Sequence, residues 1–138
     1  MSQVVSTRLP DQTAERLKRF ARRIGKTPSE TSAILIEESL RECEFPYIEF
    51  RHSALGRQAY LKNSSLAVWE VIQIAQDYEL DEKQTAEHFQ RSLEWVRSAL
   101  LYATAYPEEI QTAISDAKAI NETTLQRLLP QLEIITVE

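Results

Sequence analysis

The chain has 138 residues, 16 Lys and Arg against 21 Asp and Glu, a formal net charge of −5 and 43% hydrophobic residues. That apolar fraction supports a packed core and excludes wholesale disorder, and the length suits one ordinary domain or two small modules. Residues 1–43 hold eight basic and six acidic residues, and residues 44–138 hold eight and fifteen, so the chain is basic at one end and acidic beyond it.

The basic end begins with a predicted strand, Val4–Leu9. "LPD" at 9–11 then starts a helix, because proline is tolerated in a first turn and Asp11 suits the positive end of the dipole. Ala14, Leu17, Phe20, Ala21 and Ile24 recur at steps of three and four and form one apolar stripe. Gly25 follows, where a left-handed residue is wanted. "TPSE" at 27–30 reads as a capping box, with Thr27 as cap, Pro28 first in the helix and Glu30 reaching back. The helix it opens should run to about Cys43. Ala33, Ile34, Leu35, Ile36 and Leu40 cover more than one of its faces, so it needs burial on two sides.

Pro46 breaks this unit. "YIEFR" (47–51) and "RQAYL" (57–61) read as strands joined by a turn at Gly56. Four helical stretches are expected next. In 66–78, Val68, Val71, Ile72 and Ala75 share a face. Asp81 caps 81–89, Ser92 opens 92–106, and Pro107 opens 107–119. The remainder, 120–138, reads as a short amphipathic helix with Leu125, Leu128 and Leu129, then Pro130 and "LEIITV". The fold class is thus mainly α with short β elements. The expected divisions are 1–43, 44–119 and a tail, 120–138.

A strand and two helices in 43 residues cannot cover their own core, and a lone strand leaves its backbone unpaired. A second copy resolves both problems, with strands antiparallel across a two-fold axis. Strand, "LP", basic helix, Gly25 and a capped second helix resemble the ribbon-helix-helix fold of the CopG, Arc and MetJ repressors. In that family paired strands enter the DNA major groove. The resemblance implies that Val5, Thr7 and Leu9 face the dimer core and that Val4, Ser6 and Arg8 face the bases. Arg8 would reach a guanine edge, Ser6 either base type and Val4 a thymine methyl. It also implies a phosphate at Thr27, Pro28 and Ser29, on the positive end of the second helix. A one-residue slip would exchange the two strand faces. A solvated helix face accounts equally well for Arg16, Arg19, Arg22, Arg23 or Lys26 taken singly.

Residues 56–110, with "AVWEV", "AEHF" and "V-SAL-YA-AYPEEI", resemble a family of small winged helix-turn-helix-like domains found in antitoxins paired with nuclease-like toxins. "KNSS" replaces the usual glycine-containing turn, and Asn63 is expected at the positive φ. The joined halves look like a VapB-type antitoxin that also represses its own operon. Such a protein would neutralise a nuclease-like, PIN-type toxin and bind double-stranded operator DNA as a homodimer or higher even-numbered oligomer. The would-be recognition helix, 92–106, is too apolar to read bases. Leu93, Val96 and Leu100 are expected in the core. Trp95 and Tyr102 are divided between core and partner surface. Leu128, Leu129, Leu132, Ile134 and Ile135 of the tail are the leading toxin-binding candidates, by adding a strand to another sheet edge. Closing the module's own fold would explain them equally.

The chemistry inventory is thin. His52 and His88 lie in different elements, and no cysteine–histidine cluster, glycine-rich phosphate loop or nucleophile elbow occurs. Catalysis, a metal and a cofactor are therefore not expected. The single cysteine, Cys43, allows no intrachain disulfide. No apolar signal core opens the sequence, and "AILI" at 33–36 is too short to span a bilayer. A soluble cytoplasmic protein without membrane contact is the expectation. A repressor without a toxin partner is the runner-up, and a plasmid-partition or structural DNA adaptor is a third reading.

Overall fold

The computed structural model describes residues 2–128. Six helices and one two-stranded antiparallel sheet make up the regular structure among these residues. The chain divides into two compact units, Met1–Glu44 and Phe45–Glu138.

The first unit holds α1 (Asp11–Ile24) and α2 (Pro28–Glu44). Pro10 flanks α1 rather than opening it, and its carbonyl accepts the Ala14 N–H at 2.9 Å. Gly25 ends α1 at φ 70°, and the Lys26 N–H returns to the Ala21 carbonyl at 3.0 Å. Glycine fits this left-handed cap at no steric cost. Residues 2–10 carry no strand in the single chain. A strand needs a partner for its backbone groups, and among the described residues of this unit none pairs with 2–10.

The second unit opens with a hairpin of β1 (Ile48–Ser53) and β2 (Gly56–Leu61), paired from Ile48–Leu61 to Ser53–Gly56. Both strands reach further into "HSALG" than their patterns suggest. The Ser53 hydroxyl donates to the Gly56 carbonyl at 2.9 Å and accepts the Leu55 N–H at 3.1 Å, which closes the turn tightly. Asn63 takes a φ of 59°, as expected of it. The Ser64 hydroxyl then bridges the Leu61 carbonyl and the Leu66 N–H.

The helices are α3 (Val68–Asp77), α4 (Glu82–Phe89), α5 (Leu93–Ala105) and α6 (Pro107–Leu128). The Glu70 carboxylate accepts the Ala67 N–H at the start of α3, while Asp81 and Ser92 cap α4 and α5 through their side chains. Gln90, at φ 55°, turns α4 into α5. Val68, Val71, Ile72 and Ala75 are buried on one face of α3, the first three in one core cluster with Ile48, Leu61, Val96 and Ala99. Helix α5 sits centrally and packs on α3, α4 and α6.

That central place corrects two expectations. Trp95 and Tyr102 are both core residues, because α5 is covered on opposite faces. Tyr102 is surrounded by Phe45, Phe50 and Tyr106, and Trp95 lies against Phe89 with the Arg91 guanidinium over its ring. Leu93, expected in the core, is instead exposed, while Val96 is buried and Leu100 packs at the core's edge. Helix α6 also departs from the pattern. It continues unbroken through residue 120 to Leu128. No glycine or proline interrupts 108–128, and the Thr123 hydroxyl satisfies itself on the Ala119 carbonyl at 2.9 Å. Among the described residues, no helix is long and apolar enough to cross a membrane.

Candidate nucleic-acid interface

The first unit concentrates cations on one short helix. Arg16, Lys18, Arg19, Arg22 and Arg23 are all exposed on α1, and Lys18 has an acidic neighbour on the same helix, Glu15 at 3.4 Å. Cations in the last turn also suit the negative end of the helix dipole. The opposite stripe packs inward through Leu17, Phe20 and Ala21.

Between residues 7–9, α1 and α2 lies a cavity of about 650 Å³. Leu9, Leu17, Phe20, Leu35 and Ile36 form its apolar lining, and Arg16, Arg19 and Arg23 contribute to its wall. Thr7 and Leu9 line it; Val4, Ser6 and Arg8 do not, and neither does Val5, which was expected on the inward face with Thr7 and Leu9. Val4 and Val5 are 95% and 87% exposed, so the segment covers little of itself.

Helix α2 leaves an apolar stripe open. Ala33, Ile36, Leu40 and Cys43, spaced by three, four and three residues, are all exposed. Its buried positions include Thr31 and Glu38. The two-faced pattern is thus covered on one side and open on the other.

The three residues assigned to a phosphate differ in what they offer. The Thr27 hydroxyl accepts the Glu30 N–H at 3.1 Å and donates to the Glu30 carboxylate at 3.0 Å. Pro28 has no N–H to give. Ser29 keeps a first-turn N–H with no helical carbonyl to meet, together with its hydroxyl. The Glu30 carboxylate brings negative charge to the same turn.

In the second unit, α4 and α5 are joined by a short turn at Gln90. Arg97 is held by Glu82, with N–O distances of 2.8 and 3.2 Å. That bond keeps the Glu82 carboxyl below its ordinary range and raises the Arg97 guanidinium. Leu101, one turn on, is 57% exposed. Among the tail candidates, Leu128 is exposed at the end of α6, whereas Leu129, Leu132, Ile134 and Ile135 lie outside the described residues. Sequence reasoning missed the exposed leucines at 80 and 101, which have the composition of core positions. His88 sits at the end of α4, its Nδ1 3.0 Å from the Tyr78 hydroxyl. Among the described residues, no group of three or more His, Cys, Asp or Glu is placed to hold a metal ion. No protein-family model, curated protein or solved structure matches the chain.

Proposed function

We propose that the chain is an antitoxin of the VapB type. Its first unit pairs with a second copy as a ribbon-helix-helix dimer and binds operator DNA. Its second unit, winged helix-turn-helix-like, holds a nuclease-like toxin. The observation that carries the reading is the open side of the first unit. Residues 7 and 9 line an apolar cavity while 4, 5, 6 and 8 do not, and Ile36 and Leu40 stand exposed in a unit with seven basic residues in its first 26. A second copy would fill the cavity, pair the strands and present Val4, Ser6 and Arg8 together beside α1. DNA affinity would then rest largely on phosphate contacts from the basic helix.

The same geometry serves a repressor without a toxin. The far end of α6 favours the two-partner reading: Ile120, Leu125 and Leu128 are exposed on a helix that buries nothing beyond Ile114. A nuclease presents a basic cleft to its RNA, which an acidic unit with an apolar extension would suit. The experiment is to end the chain after Ala119 and assay operator binding and protection from the product of the adjacent reading frame. The shortened chain should bind DNA as a dimer and protect less. Full protection would place the toxin contact elsewhere in the second unit, and a full-length chain that binds no adjacent product would leave only the repressor.

A further inference from the structure

The turn after α3 holds two consecutive left-handed residues, Glu79 at φ 55° and Leu80 at φ 63°. Neither is the glycine or asparagine that this conformation favours. The Leu80 N–H is held by the Ala75 carbonyl at 2.8 Å, yet the Leu80 side chain is 53% exposed. An apolar side chain is therefore carried outward by a backbone conformation that penalises it.

Two residues on, Glu82 is bonded to Arg97 across α4 and α5. Leu101 lies one turn beyond Arg97 on the same exposed line of α5. The α4–α5 turn is at Gln90, so Leu80 and Leu101 both lie on the side of this ion pair away from the turn. The exposed acids Asp77, Glu79 and Asp81 accompany Leu80. We infer that Leu80 and Leu101 are two anchors of one protein-docking patch, whose occupant is a basic surface with apolar recesses. The inference rests on the antitoxin reading and names a contact for the toxin on the body of the second unit, separate from the end of α6. Charge selects the occupant: acids around an apolar knob repel nucleic acid and attract a basic protein rim. Interface energy concentrates in such apolar anchors, while the surrounding charges set rate and register.

The backbone supplies an unusual test. Leu80→Gly relieves the left-handed strain while removing the knob, so folding and binding should move in opposite directions. Leu80→Gly/Leu101→Ala would be compared with the native full-length chain for thermal stability and for affinity to the purified product of the adjacent reading frame. The expected result is a melting temperature for Leu80→Gly no lower than native and at least a tenfold loss of affinity in the double variant. Affinity within twofold of native would overturn the patch, as would a marked fall in the melting temperature of Leu80→Gly, which would make Leu80 a structural residue. If the native chain bound no adjacent product, the antitoxin reading would fall and this inference with it. Loss of self-association in the double variant with unchanged partner affinity would assign the patch to a second copy and overturn the toxin contact.

Discussion

The Tyr102 hydroxyl donates to the Glu109 carboxylate at 2.5 Å, joining the fully buried centre of α5 to the first turn of α6. Glu109 therefore does more than complement a helix dipole. Tyr102→Phe should cost about 1–2 kcal/mol, because the exposed carboxylate rehydrates when the phenol is lost. Tyr102→Ala should cost about 3–5 kcal/mol through the cavity left in the aromatic cluster. Urea denaturation of the two variants checks the order.

Ile36→Asp tests self-association. Ile36 is 56% exposed in the single chain, so the change should leave helix content intact. In the dimer it would bury an unpaired charge, at a cost of several kcal/mol, on the order of 3–5. Sedimentation should show native dimer and variant monomer with the same circular dichroism.

Arg8→Ala should weaken operator binding by about 1–3 kcal/mol and relax the preferred sequence, as loss of a bidentate base contact does. A footprint on the chain's own promoter, with unchanged preference in the variant, would sink the assignment of residue 8 to the base-facing set.

Glu30→Gln should strengthen binding to operator and unrelated DNA alike, by about 0.3–1 kcal/mol. Glutamine preserves the bond to Thr27 but removes a negative charge from the turn assigned to a phosphate. Fluorescence titration at two salt concentrations with both DNAs measures it. Unchanged affinity would take the phosphate off this turn.

Arg97→Ala should raise the Glu82 titration midpoint, since the Arg97 hydrogen bond is what holds that carboxyl down. A depressed folded-state carboxyl contributes stability above its unfolded value and loses it as pH falls through the folded one. The gap between native and variant should therefore close on the acid side. Glu82 is only partly buried, so the gap is small, and carboxyl NMR is the suitable readout.

Local chemistry was legible where one residue decides it. Gly25 and Asn63 stand where a positive φ was called for, and Asp81 and Ser92 cap as their positions suggest. The buried face of α3 followed from spacing alone. Tertiary placement was not legible. Residues 93–105 put apolar side chains on two sides of α5 without saying that both are covered, so the sequence leaves Trp95 and Tyr102 divided between core and partner surface and places Leu93 in the core. Leu80 gave no signal because leucine is not a turn residue. At the candidate interface, alternation along residues 4–9 matches the cavity at Thr7 and Leu9 but not at Val5, which stands exposed outside it. The capping box was visible, but not that Thr27 would spend its hydroxyl on the Glu30 carboxylate.

Helix α6 is one rod in shape and two in free energy. Up to Ala117 it is anchored by Ile110 and Ile114; from Lys118 to Leu128 every residue is exposed. Those last turns rest on their own backbone bonds, and so short a helix is marginal in water by itself. Amide exchange should then rise in a step near residue 118, from protection set by unfolding of the whole unit to protection set by fraying of three turns. A protein seizing that segment would oppose only the loss of a little helix, and would find it already wound.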